Sequence, residues 1–172
     1  MACPMCQIPH HRLGRRNVVG ALVSAPRALR RVIGRASRRR LGLRPARREW
    51  SATEVLGHLL DAEVTLAFRI RKLAAEPGGS IVAWDQEKWT DGLRHQRGDA
   101  RTLLEAYAAL RAANVEQVRR FTPAQRAAAG RHPEYGRLRV SEMLEHWAEH
   151  DLNHLEQVRA ALAGRADRSG RR

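Results

Sequence analysis

VSEMLEHWAEHDLNHLEQVRAAL, residues Val140–Leu162, contains neither Gly nor Pro, and its apolar residues recur at steps of three and four. That is the period of one buried helix face. His146, His150 and His154 stand four apart on it, so they lie near one line along the helix. With His150 at 0° and about 100° per residue, Val140, Met143, Leu144, Trp147, Leu155, Val158 and Leu162 span roughly 20–140°. His154 at about 40° falls inside that stripe, His150 on its shoulder, and His146 at about −40° turns toward the polar side. Glu142, Glu145, Glu149 and Glu156 fall farther round, toward water. Asp151 at about 100° sits mid-stripe, where an unpaired carboxylate is costly, so it has a partner or a task. His150-x-x-x-His154 is a chelating spacing, and a third ligand has to come from another helix.

The clearest helix start lies upstream. Ser51 and Glu54 form an S-x-x-E capping box, with Trp50 and Val55 placed as a hydrophobic staple. This helix is expected to reach about Ala75, before Pro77-Gly78-Gly79-Ser80. Its polar strip holds His58, Asp61, Thr65 and Arg69. The strip is equally a solvent face or a polar lumen, which leaves His58 balanced between ligand and surface histidine. If this helix runs antiparallel to the histidine helix, His58 and the His150–His154 pair stand at matching heights. Arg69 either holds an anionic substrate or pairs with Glu63.

Two more amphipathic segments complete the pattern. Residues 18–37 read as a first helix with Leu22, Leu29, Val32 and Ile33 inward, and Ser24 before Ala25-Pro26 offers a start. Residues 38–48, RRRLGLRPARR, read as a basic connector. Asp99 caps a third helix running to about Arg120, with Leu103, Tyr107, Leu110 and Val118 inward. Thr122-Pro123 opens a short helical turn, and residues 131–139 lead into the last helix. The connection 77–98 is long enough to be a crossover or a lid. Four long amphipathic helices without a strand signal predict an all-α bundle.

Composition narrows the class. The chain has 172 residues, enough for one domain with a core. Its net charge of +14 is uneven: residues 1–49 carry +12, residues 50–162 carry −1 and residues 163–172 carry +3. We divide the chain into a flexible basic arm (1–16), a bundle domain (17–163) and a flexible basic tail (164–172). No recognition motif accompanies the charge, so nucleic acid is not the expected partner. The only cysteines, Cys3 and Cys6, stand in the arm beside His10 and His11. Such usage suits a reducing, cytoplasmic setting, and the arm is too short to frame a closed zinc site. Val18–Ala25 after Arg15-Arg16 faintly resembles a signal core, but Gly20 interrupts it. No apolar run approaches the ~18 residues of a membrane span.

Two stretches carry a resemblance. WSATEVLGHLLDAE (Trp50–Glu63) and EHDLNHLEQV (Glu149–Val158) are similar to the two signature stretches of the DinB/YfiT-like metalloenzyme family. The HPEYG…VSEML segment and the WDQEKW loop are similar to its members too, and the likeness spans roughly residues 20–162. The resemblance implies a four-helix bundle of up-down-down-up topology, with the long crossover between the second and third helices. It also implies a divalent metal (Zn, Ni, Mn or Fe) on His58, His150 and His154, with His146 outside the set. Three imidazoles leave open positions for water or substrate, the form of a catalytic site.

The implied activity is a thiol-dependent S-transfer using a low-molecular-weight thiol cosubstrate, or a hydrolysis, on a small-molecule substrate. Asp61, Asp151 and Gln157 are the candidates to orient imidazoles or take a proton. A homodimer through an exposed apolar bundle face is a further expectation. The competing reading is a non-catalytic bundle that binds nucleic acid or an anionic surface through its Arg-rich ends.

Overall fold

The computed structural model describes residues 13–14 and 17–164. The expectations for Cys3, Cys6, His10, His11 and the tail beyond Gly164 lie outside these residues. Four long helices form the body: α1 (Val18–Ile33), α3 (Ala52–Ala75), α5 (Ala100–Arg119) and α7 (Val140–Leu162). Between them lie α2 (Arg38–Leu41), α4 (Gln86–Gly92), a 3-10 turn (His95–Arg97), α6 (Pro123–Ala127) and strands β1 (Ala129–His132) and β2 (Gly136–Arg139).

The core has two layers, and they give the helix directions. One layer joins Leu29 and Ile33 near the end of α1 with Val55, Leu56 and Leu59 at the start of α3. It also takes in Ala100, Leu104 and Tyr107 at the start of α5, and Leu155 and Val158 late in α7. The other joins Leu22 of early α1 with Ile70 and Leu73 of late α3, Val115 and Val118 of late α5, and Met143 and Trp147 of early α7. Thus α1 and α7 run one way and α3 and α5 the other, an up-down-down-up bundle. Helix α3 packs between α5 and α7, and α1 packs against the same two helices. Because α3 and α5 are parallel, the chain from 76 to 99 must return the length of the bundle, about 36 Å for a 24-residue helix.

Several local expectations change. Helix α1 starts at Val18, capped by the Asn17 side chain, so Pro26 lies inside it and Ser24 is no start; it ends at Ile33, four residues short of the expected 37. The basic connector contains the short α2, capped by Ser37. On α5 the inward face is Leu104, Tyr107, Arg111, Asn114, Val115 and Val118; Leu103 and Leu110 are only half-buried. Residues 129–139, which carry no alternating pattern, form an antiparallel pair with Ala129 opposite Arg139 and His132 opposite Gly136. Gly136 turns it with φ +69°. The pair is fastened to the crossover: Gly78 N–H donates to the Ala129 carbonyl at 2.7 Å and Ile81 N–H to the Arg131 carbonyl at 2.9 Å. Among the described residues no helix is long and apolar enough to cross a membrane.

Candidate metal centre

Helix α3 supplies its histidine from a firmly set start. Ser51 accepts from Glu54 N–H, and the Glu54 carboxylate accepts from Ser51 N–H. Trp50 and Val55 are both buried in the same core layer. Two turns on, the buried His58 faces α7. There the Nε2 atoms of three histidines converge: His58 to His150 is 3.0 Å, His58 to His154 is 3.1 Å and His150 to His154 is 3.1 Å. Among the described residues these three form the group able to hold a metal ion. His58, which the helix wheel left undecided, is therefore turned inward by the packing of α3 on α7.

The donor set fits a divalent cation. Metal–nitrogen bonds of about 2.0–2.1 Å place neighbouring ligand nitrogens roughly 3 Å apart. His154 Nδ1 lies 2.6 Å from Gln157 Oε1. The amide oxygen can only accept, so the His154 proton sits on Nδ1 and Nε2 presents a lone pair. The Nδ1 of His150 is buried, leaving Nε2 as the atom facing the cluster. Burial, followed by the neighbouring His154, His58 and His146, pushes the His150 pKa well below its usual range. Three imidazole lone pairs aimed at one point repel each other unless a proton or a metal cation lies between them.

Aromatic rings frame the triad. Trp50 lies 5.1 Å from the His58 ring at 46°, and Trp84 of the crossover stacks on it at 5.6 Å and 14°. Trp89 meets Trp84 edge-on at 4.9 Å. His146 is buried rather than turned to the polar side, its ring 5.7 Å from that of His150. It remains outside the convergent group.

The carboxylates have other partners. Asp61 accepts from His95 Nε2 at 2.6 Å, and burial raises its pKa while that hydrogen bond opposes the rise. Asp151 binds Arg111, a residue that sequence reading overlooked. Arg111 Nε donates to Glu63 at 2.8 Å, Nη2 to Glu63 at 2.6 Å and to Asp151 at 3.2 Å, and Nη1 to Asp151 and to the Leu22 carbonyl. Asn114 adds a donor to Glu63 at 2.6 Å. Glu63 is thus taken, and Arg69 instead donates twice to the Val82 carbonyl. Glu149, expected toward water, is buried and accepts from Leu13 N–H at 2.5 Å. A signal for Arg111 existed: it lies four residues from Tyr107 on the apolar stripe. His95, in an irregular turn, had none.

The family model described as the DinB superfamily matches residues 21–158. This chain belongs to the DinB superfamily. The match takes in both histidine-bearing helices. A solved relative is YfiT from Bacillus subtilis, described as a probable metal-dependent hydrolase with an unusual four-helix bundle topology. It is 17% identical, with a TM-score of 0.78 over 84% of this chain and 83% of YfiT. At that identity the likeness speaks for the fold. No curated protein matches the chain.

Proposed function

We propose that this DinB-superfamily chain is a divalent-metal-dependent enzyme acting on a small molecule, with His58, His150 and His154 as the metal ligands. The observation that carries the reading is the convergence of three Nε2 atoms at 3.0–3.1 Å. A divalent ion (Zn, Ni, Mn or Fe) held there supplies a Lewis acid that activates a water or a thiol near neutral pH. Hydrolysis is the first activity to test, and S-transfer the second. A transferase needs its thiol from a low-molecular-weight cosubstrate, because the only cysteines are Cys3 and Cys6 in the arm.

The surrounding side chains have separable roles in this reading. Gln157 holds the His154 tautomer. Trp50 and Trp84 wall His58 and limit water around it. Asp151 ties the middle of α7 to Arg111, and Asp61 acts on His95 rather than on a triad imidazole. A homodimer belongs to the same proposal, with the exposed Val64 and Phe68 of α3 as the apolar face; sedimentation of Phe68→Glu beside wild type tests it.

Protein purified without an affinity tag should carry about one equivalent of a divalent transition metal. His154→Ala should lose it while keeping its helix content. Metal-free wild type that takes up no such ion would sink the proposal. Steeply salt-dependent binding to a polyanion, abolished by removing residues 1–16 and 164–172, would favour the non-catalytic alternative.

A further inference from the structure

Each imidazole of a metal site needs something behind it to fix its orientation. Gln157 does this for His154. For His58 the neighbouring group nearest to parallel is the Trp84 indole, inclined by 14° with centroids 5.6 Å apart. This is within the range of an offset stack. Trp84 belongs to the long crossover, so its position depends on how that segment is fastened.

The crossover is fastened on both sides of Trp84. Before it, Arg69 grips the Val82 carbonyl with two guanidinium nitrogens. After it come α4, capped by the Asp85 side chain, and the turn that delivers His95 to Asp61. Both members of that pair are buried. Helix α3 makes room for it: a Cβ at Gly57 would stand only 2.7 Å from His95 Nδ1. Gly57 and Asp61 are one turn apart and flank His58 in sequence, so the helix that carries the histidine also carries the socket for the crossover.

We propose that His95 is a positioning residue for the three-histidine site: by clamping the crossover onto α3 through Asp61, it holds Trp84 against His58, and the indole keeps Nε2 aimed at His150 and His154. The inference rests on the triad as a metal site, and its test separates the two. A pin that serves stability alone would leave the His58 ring indifferent to His95.

The first measurement uses metal-free, full-length protein. NMR signals of the His58 ring protons are expected upfield in wild type from the indole ring current. They should move downfield in Trp84→Ala and in His95→Ala, stay near wild type in Trp84→Phe, and recover partly in His95→Gln, which keeps an N–H toward Asp61. The second measurement is the Zn(II) dissociation constant, expected to weaken about tenfold in His95→Ala and Trp84→Ala and to recover in Trp84→Phe. Should His95→Ala not fold, Asp61→Ala carries the same comparison. Unchanged His58 signals in His95→Ala and Asp61→Ala overturn the proposal, even where their Zn(II) binding falls. Wild type that binds none of Zn(II), Ni(II), Mn(II) and Fe(II) overturns the metal reading, while the ring-proton shifts still decide the clamp.

Discussion

Arg111 donates to the carbonyl of Leu22 at 3.1 Å, the oxygen that Pro26 deprives of its helical partner. Proline has no N–H, so the bond from residue 26 to residue 22 cannot form inside α1. The guanidinium replaces it from α5 and spends its remaining donors on Glu63 of α3 and Asp151 of α7. One buried cation therefore joins all four long helices. Tyr107 and Trp147 cover it, their ring centroids 4.8 Å and 5.0 Å from its carbon.

Removing that cation should be severe. Arg111→Met leaves Glu63 and Asp151 buried without a counter-charge, and a loss of about 3–5 kcal/mol is expected. Urea unfolding measures it. Adding Glu63→Gln and Asp151→Asn should recover part of the loss, because two uncompensated charges are then gone. A variant as stable as wild type would show that the network is not held together by charge. Pro26→Ala should matter far less, since a carbonyl oxygen accepts two hydrogen bonds.

Gln157 acts on metal affinity rather than on folding. Gln157→Ala frees the His154 ring to change tautomer, and metal affinity should fall about 10- to 100-fold with little change in melting temperature. Competition with a chelator reads the affinity directly. Equal affinity in the two proteins would remove Gln157 from the site's support.

Gly57→Ala sets two effects against each other. An alanine in mid-helix gains about 1 kcal/mol over glycine. Its Cβ would press into the His95 ring, 2.7 Å from Nδ1 and closer still to Cγ, and such overpacking costs about 1–3 kcal/mol. The clash should win, giving net destabilisation and faster proteolysis of the crossover. A stabilised variant with the His95–Asp61 bond intact would show that the ring yields freely.

The pH dependence of the metal-free protein has a definite sign. The folded-state pKa of His150 is depressed, first by burial. The unfolded chain then binds its proton more readily, so this contribution to stability is complete above the ordinary value of about 6.5 and is lost as pH falls below it. Asp61 and Glu63 act oppositely, since burial raises their pKa values; their contribution is complete below the ordinary carboxylate range and is lost as pH rises through the raised values. Melting temperatures from pH 5 to 8 should therefore drop on the acid side in wild type. In His150→Gln that drop should flatten. An identical slope in both would assign it to other groups.

The long helices were legible because each has a strong periodic face and, for α3 and α5, an unmistakable cap. The capping box at Ser51 and the Asp99 cap place the helix starts where the structure has them. The β1–β2 pair was not legible: its four-residue strands follow no alternation, and its hydrogen bonds to the crossover come from a segment some fifty residues earlier. Glu149 and His146 were misplaced because a helix wheel describes one neighbour direction, whereas α7 packs on both α1 and α3 and also meets Leu13.

By itself the sequence determined the four amphipathic helices, the His150–His154 chelating step and, through the two signature stretches, the family. Only the tertiary structure decided that His58 faces α7 and that Asp151 and Glu63 share Arg111. It alone decided that Asp61 answers His95 and that Trp84 lies on His58. Periodicity is a property of one helix, written into neighbouring residues. Charge pairing, ring stacking and the choice between lumen and solvent depend on residues 26 to 96 positions apart, which meet only after the chain has packed.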